Sequence, residues 1–168
     1  MSYNKIHIIG GPGSGKTFAA GVISKKLSIP SYDLDELFWD RKAGDYHTKT
    51  TEEARSRLLA EILKTDKWVI EGVYYKWLED SFNKTDIIII LQTPLWLRNW
   101  RVMLRFIKRK SGLIKAKRES FSDFMELIKW NNKFDTDNMN RIKAFLQKNS
   151  SKIIQIKTKR QLKLLIEK

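Results

Sequence analysis

The sequence predicts an α/β protein built on a parallel sheet, and three observations carry that expectation. Short apolar runs alternate with stretches of helical periodicity along the whole chain, the pattern of strand–helix–strand units. One run, Asp86 to Leu91 in DIIIILQTP, is apolar without alternation, as a strand covered on both faces must be. The first run, holding Ile6, Ile8 and Ile9, leads directly into GGPGSGKT, Gly10 to Thr17, which has the G-x-x-x-x-G-K-[ST] spacing of a phosphate-binding loop.

The loop needs those residue types. Gly10, Gly11, Gly13 and Gly15 let the backbone curl until several N–H groups point at one anion. The helix that follows, about Thr17 to Leu27, aims its positive end at the same point. Lys16 then reaches the outer phosphates and the Thr17 hydroxyl completes a Mg²⁺ shell. A strand before and a helix after distinguish this loop from a flexible Gly-rich turn. The expected nucleotide contacts are Gly11, Gly13, Ser14, Gly15, Lys16, Thr17 and Phe18, with ATP or GTP as the ligand.

Along the chain, Ile29 to Asp33 reads as a second strand with Asp33 and Asp35 at its carboxyl end, where open α/β sheets bind ligands. One acid can orient a metal-bound water or take a proton from an acceptor hydroxyl; the alternative is a cap on the helix holding Glu36, Leu37 and Phe38. Arg41 to Lys49 is polar and reads as a mobile surface segment. Thr50 and Glu53 form an expected capping box, opening a helix that buries Leu58, Leu59, Ile62 and Leu63. The third strand, about Lys67 to Ile70, ends in Glu71, at the place of an acid that holds Mg²⁺ through water. The alternative is a loop acid with its own ion pair.

Thr93 and Pro94 predict a helix start, cap followed by first-turn proline, for a helix of about Leu95 to Lys110. Arg98, Arg101, Arg105 and Arg109 line one of its faces; Trp96, Trp100, Met103 and Ile107 line another, read as the packed side. An always-ionised arginine stripe suits the charge that spreads over a transferred phosphoryl group, and a solvated basic face is the alternative. Ser111 to Ser120, with Lys115, Lys117 and Arg118 and a pivot at Gly112, reads as a cationic lid, making the lid region about 98–120. Two helical stretches follow, about Phe121 to Trp130 and Asp137 to Lys148, with Phe121, Phe124, Ile142 and Phe145 expected in packing. Lys152 to Lys157 is a fifth strand, and Thr158 starts a closing helix. The loop Lys157 to Arg160 is expected near the nucleotide base.

With 168 residues the chain reads as one domain, without cysteine for disulfides or Cys-based zinc sites. No apolar run approaches the ~20 residues of a membrane span, and no signal-peptide pattern precedes the loop, so a cytoplasmic protein with no membrane partner is expected. The net charge of +14 is uneven: residues 1–84 carry 13 Lys and Arg against 12 Asp and Glu, residues 85–168 carry 20 against 7. Such a half suggests polyanionic partners, or a solvated lysine-rich surface.

Taken together, the phosphate loop, YDLDELFW, WVIEGVYY, DIIIILQTP and the arginine helix resemble the adenylate-kinase-related P-loop proteins of the bacterial DNA topology modulation group, in the nucleoside/nucleotide kinase-like superfamily. Asp33-Leu34-Asp35 with Phe38-Trp39 matches that group's His-Leu-Asp and Tyr-Trp elements, Glu71-Gly72-Val73-Tyr74 its Asp-Gly-Asn-Tyr element, and Trp100-Arg101 its Trp-Arg start to the lid helix. Glu71 stands where the group has Asp and Val73 where it has Asn, and no Gly-Phe-Pro-Arg-type segment of a true adenylate kinase follows the third strand. The resemblance implies a three-layer P-loop fold with five parallel strands in order 2-3-1-4-5, ATP·Mg binding and kinase activity.

On this reading Lys16, Asp35, Arg101, Arg105 and Arg109 are catalytic, Thr17, Asp33 and Glu71 hold Mg²⁺, and Asp33, Asp35, Glu71 and Tyr74 meet the acceptor. The acceptor is a nucleoside monophosphate or a nucleoside. The alternatives are a nucleotide-dependent nucleic-acid-binding protein, which would use the basic half but shows no helix-turn-helix, OB or RRM pattern, and a degenerate kinase homologue that binds ATP.

Overall fold

The computed structural model describes residues 3–40, 48–113 and 120–167. The expectations for most of the segment from Arg41 to Lys49, and for the lid residues Lys115, Lys117 and Arg118, fall outside these residues. Five strands, β1 (Lys5–Ile9), β2 (Ser31–Asp33), β3 (Trp68–Gly72), β4 (Ile87–Leu91) and β5 (Ile153–Ile156), form one sheet in order β2-β3-β1-β4-β5. Every pairing is parallel. This is the α/β arrangement and strand order expected.

The isoleucine run of β4 explains itself in this setting. Ile88 and Ile90 enter a core with Trp68, Ile70, Leu34 and Phe82 on one face of the sheet. Ile87, Ile89 and Leu91 enter a second core with Ile6, Ile8, Ala19, Ala20 and Ile23 on the other. A strand buried on both faces has no place for polar alternation. His7, beside them on β1, is fully buried and stacks on Phe82, with ring centroids 4.4 Å apart. Burial takes its pKa from 6.5 to about 3, so it packs as a neutral ring.

The register sets up the site. Ile8 of β1 and Asp33 of β2 both pair with Glu71 of β3, so one rung of the sheet carries two acids beside the strand that feeds the phosphate loop. Helix α1 (Lys16–Leu27) follows the loop. Asp33 caps α2 (Leu34–Phe38), accepting the Asp35 N–H at 2.9 Å.

Helices α3 (Glu52–Lys64) and α4 (Glu79–Lys84) complete the flank of β3. Thr51, not Thr50, caps α3, its hydroxyl accepting the Ala54 N–H, while the Thr50 N–H that a box with Glu53 would need is bonded to the Phe38 carbonyl. Leu58, expected inside, is exposed; Leu59, Ile62 and Leu63 carry the packing.

Helix α5 (Leu95–Lys110) inverts the expected faces. Its fully buried residues are Arg98 and Val102, while Trp96 is 71% exposed and Trp100 and Ile107 are each 51% exposed. Periodicity tells which residues share a face; it does not tell which face turns inward. Arg98 can be buried because its charge is answered there. Its Nη2 donates to Asp135 Oδ2 at 2.8 Å and to the Asn131 carbonyl at 3.4 Å, and its guanidinium lies 5.6 Å from the Phe134 ring.

These partners come from the next segment, where α6 (Phe121–Lys133) runs through a π turn (Phe134–Asn138) into α7 (Met139–Phe145). The sequence suggested two separate helices. The π turn joins them and places Phe134 in the core and Asp135 against Arg98. Phe121, expected in packing, is 65% exposed, while Phe145 packs edge-on against Tyr75 and Phe82. Thr93 does not cap α5, whose boundary residue is Pro94, because its hydroxyl donates instead to the Ser14 carbonyl at 2.9 Å. Helix α8 (Lys159–Ile166) closes the chain behind a capping box of Thr158 and Gln161.

Replacing Asp135 by Asn leaves the buried Arg98 charge without its carboxylate. Urea denaturation is expected to show a loss of about 1–3 kcal/mol. An unchanged midpoint would mean that Arg98 does not depend on that pair.

Candidate active site

The phosphate loop is fastened to α5 from three sides. A side chain at Gly11 would place its Cβ 2.1 Å from Arg98 Nη1, so the backbone there lies directly on the buried guanidinium. Gly13 has φ of +71°, and its Cβ would stand 2.5 Å from the Arg98 carbonyl oxygen, so a residue with a side chain is excluded twice. Arg101 Nη1 donates to the Gly13 carbonyl at 3.0 Å and the Ser14 carbonyl at 3.3 Å. These bonds and the Thr93 hydroxyl take up loop carbonyls, leaving the loop's amide side for an anion.

At the start of α1, Lys16 Nζ donates to the Gly11 carbonyl at 3.2 Å, curled back over the loop. Burial lowers its pKa, opposed by Glu71, Asp35 and Asp33 and reinforced by Arg105. The Thr17 hydroxyl donates to Glu71 Oε1 at 2.6 Å. Glu71 is buried at the carboxyl end of β3, and burial lifts its pKa from 4.5 to about 6 against the pull of the Thr17 bond. Burial also raises Asp33, opposed by the Asp35 N–H that it caps. Tyr74 donates its phenol to Asp35 Oδ1 at 2.8 Å and stacks on Phe38 with centroids 4.5 Å apart. Burial first, and Asp35 second, raise the Tyr74 pKa, so the phenol stays a donor.

Two cavities flank the loop. The smaller, about 460 Å³, is lined by Phe18, Pro94, Leu97 and the Lys157–Lys159 segment, with Lys159 Nζ 4.9 Å from the Phe18 ring. The larger, about 1340 Å³, has Lys16, Thr17, Asp33, Asp35 and Glu71 at its loop end. Arg105 and Arg109 of α5 and Leu127 and Trp130 of α6 line it too, with Phe38, Tyr74 and Trp77 among its aromatic members. Gly15 and Arg101 line both cavities.

The structure thus brings together every candidate residue named from the sequence: Gly11, Gly13, Ser14, Gly15, Lys16, Thr17 and Phe18 at the loop and smaller cavity, Asp33, Asp35, Glu71, Tyr74, Arg105 and Arg109 at the larger, and Arg101 between them. Arg98, counted in the arginine stripe, stands apart as the strut beneath the loop. Sequence reasoning missed the aromatic wall and Arg55, whose guanidinium lies 5.3 Å from the Phe38 ring and 4.8 Å from the Trp77 ring. Its one signal was the cluster of aromatics in YDLDELFW and WVIEGVYYKW.

The oxygen donors fit Mg²⁺, a hard cation that keeps several waters. Among the described residues no three His, Cys, Asp or Glu side chains are grouped to hold a metal by themselves, so such an ion would depend on phosphate oxygens and water.

Because the folded pKa of Glu71 is raised, its contribution to stability is complete below pH 4.5 and lost as pH rises through about 6. In EDTA, the stability of the wild type relative to Glu71→Gln is expected to fall by about 1–2 kcal/mol from acid to neutral pH. Parallel pH profiles for the two proteins would contradict the raised pKa.

No protein-family model matches the sequence. The chain is 25% identical over 136 residues, 80% of its length and 74% of the relative's, to the uncharacterized protein YqaC of Bacillus subtilis strain 168. The crystal structure of shikimate kinase from Bacteroides thetaiotaomicron superposes with a TM-score of 0.50 over 99% of this chain and 96% of that one, at 18% identity. The likeness is one of fold: a five-stranded parallel sheet, β2-β3-β1-β4-β5, with helices on both sides, as in a P-loop kinase.

Proposed function

We propose that the protein is a P-loop kinase that moves the γ-phosphoryl group of ATP·Mg to a small acceptor, a nucleoside or nucleoside monophosphate. The observation that carries this reading is that two separate cavities meet at the phosphate loop, at Gly15 and Arg101. A nucleotide in the smaller cavity, with its phosphates in the loop, would present its outer phosphoryl group to whatever fills the larger one. That a neighbour of the same fold is a kinase supports the reaction class.

In this reading Lys16 releases the Gly11 carbonyl and takes the outer phosphates, while the loop amides hold the inner ones. Thr17 and Glu71, with Asp33 beside them, would hold Mg²⁺, which would supply neutralising charge to the phosphates. Arg105 and Arg109 face the transferred group or an acceptor phosphate from the α5 wall, and Arg101 keeps the loop shaped between the two substrates. Asp35, with one oxygen held by the Tyr74 phenol, accepts the proton of an acceptor hydroxyl. An acceptor phosphate is already anionic and needs no base. The rings of Phe38, Tyr74 and Trp77 suit a planar base.

ADP production from ATP·Mg, measured across nucleosides, nucleoside monophosphates and short DNA, tests this. One nucleoside or monophosphate should raise turnover far above background. Lys16→Ala should abolish that turnover while leaving the melting temperature in place. Arg105→Ala should lower kcat by about 10²–10³-fold while weakening ATP binding much less. Near-wild-type turnover in folded Lys16→Ala, or stimulation by DNA alone, would refute the proposal.

A further inference from the structure

The helical pair α5–α6 has a second face that the site does not use. Among the described residues, seven of the eleven exposed large hydrophobic side chains belong to this one hairpin and its junction. Trp130 lines the larger cavity, but Trp96, Trp100, Ile107, Leu113, Phe121 and Met125 line none of the cavities described. Trp96, Trp100 and Ile107 lie on the side of α5 opposite Arg98 and Val102, the residues that it buries. Phe121 stands 6.3 Å from Phe106 of α5, so the exposed residues of α6 continue the same ridge. Lys110, with its Nζ 5.8 Å from the Phe106 ring, flanks it, and Lys129 is exposed on α6.

We propose that this ridge docks the protein on an anionic lipid surface, with the tryptophans at headgroup depth and the surrounding lysines and arginines on the phosphates. The charge is right for that occupant: among the described residues of α5 and α6, Lys108, Lys110, Lys129 and Lys133 are exposed, against Glu126 as the one exposed acid. Tryptophan beside cations is the composition that settles at a membrane interface, and Ile107, Leu113 and Met125 add apolar area that reaches past the headgroups. Those three side chains offer no ring for a nucleic-acid base to stack on. A second copy of a chain with net charge +14 would be repelled from the same basic face. The surface requires no spanning segment, and no helix of the described residues is long and apolar enough to cross a membrane. The expectation of no membrane partner rested on the lack of a spanning apolar run, which does not bear on a surface ridge of exposed side chains. The α5 and α6 residues that line the larger cavity, Arg101, Arg105, Arg109, Leu127 and Trp130 among them, are not those of the ridge.

Flotation of the full chain with vesicles of equal parts phosphatidylglycerol and phosphatidylcholine tests the proposal against vesicles of phosphatidylcholine alone. Binding is expected only to the anionic vesicles. Trp96→Ala and Trp100→Ala should each weaken it by about tenfold, with unchanged melting temperature. Lys108→Glu with Lys110→Glu should weaken it further at low salt than at high salt. Absent flotation, equal flotation on both vesicle types, or undiminished flotation of the double tryptophan variant would overturn the proposal. So would capture of a single-stranded oligonucleotide, or self-association in sedimentation, that depends on the same tryptophans while vesicles stay unbound.

Discussion

The contact on which this molecule depends is the one between the phosphate loop and Arg98. A buried guanidinium is costly to desolvate and is tolerated where its charge is paired. Here Asp135 and the Asn131 carbonyl both engage Nη2, the buried Nε finds no partner among the described residues, and the loop backbone at Gly11 lies against the same group. The Arg98 carbonyl sits under Gly13, and Arg101, one turn on, holds the carbonyls of Gly13 and Ser14. Helix α5 is thus both the scaffold of the loop and the wall of the larger cavity. The loop's shape is held by contacts within the chain itself, which lowers the cost of ordering it around an anion.

The sheet register does the rest. Because Asp33 and Glu71 share a rung with β1, two acids stand where the loop turns back into α1, and Asp35 follows from the cap that Asp33 makes. One buried lysine among three carboxylates explains the electrostatic pattern: Lys16 is lowered by burial and supported by the acids, while burial raises Glu71 and Asp33 against the pull of Lys16. A divalent cation and a set of phosphates would relieve both sides of that imbalance.

Much of this was legible in the sequence where the chemistry is local. The isoleucine run declares a strand covered on both faces, and GGPGSGKT declares an anion cradle, because neither depends on distant partners. Glu71 could be picked out because an acid closing an apolar strand has few places to go. What could not be read depends on contacts between segments far apart. The inward face of α5 carries Arg98, whose partner Asp135 lies thirty-seven residues on, while Trp96 and Trp100 of the same helix stay exposed. The loop carbonyl that claims Thr93 and the Asp35 carboxylate that claims Tyr74 are likewise tertiary partners. Thr51 holds the cap expected of Thr50, whose N–H is bonded to the Phe38 carbonyl.

The claim at the centre is that the loop and the smaller cavity hold ATP with its phosphates beside Thr17 and Glu71. Calorimetric titration of the purified protein with ATP, first with Mg²⁺ and then in EDTA, addresses it most directly. Saturable one-to-one binding that weakens when Mg²⁺ is removed, and that ADP displaces, is the expected result. Heat that never saturates at millimolar ATP, or binding indifferent to both Mg²⁺ and ADP, would contradict it.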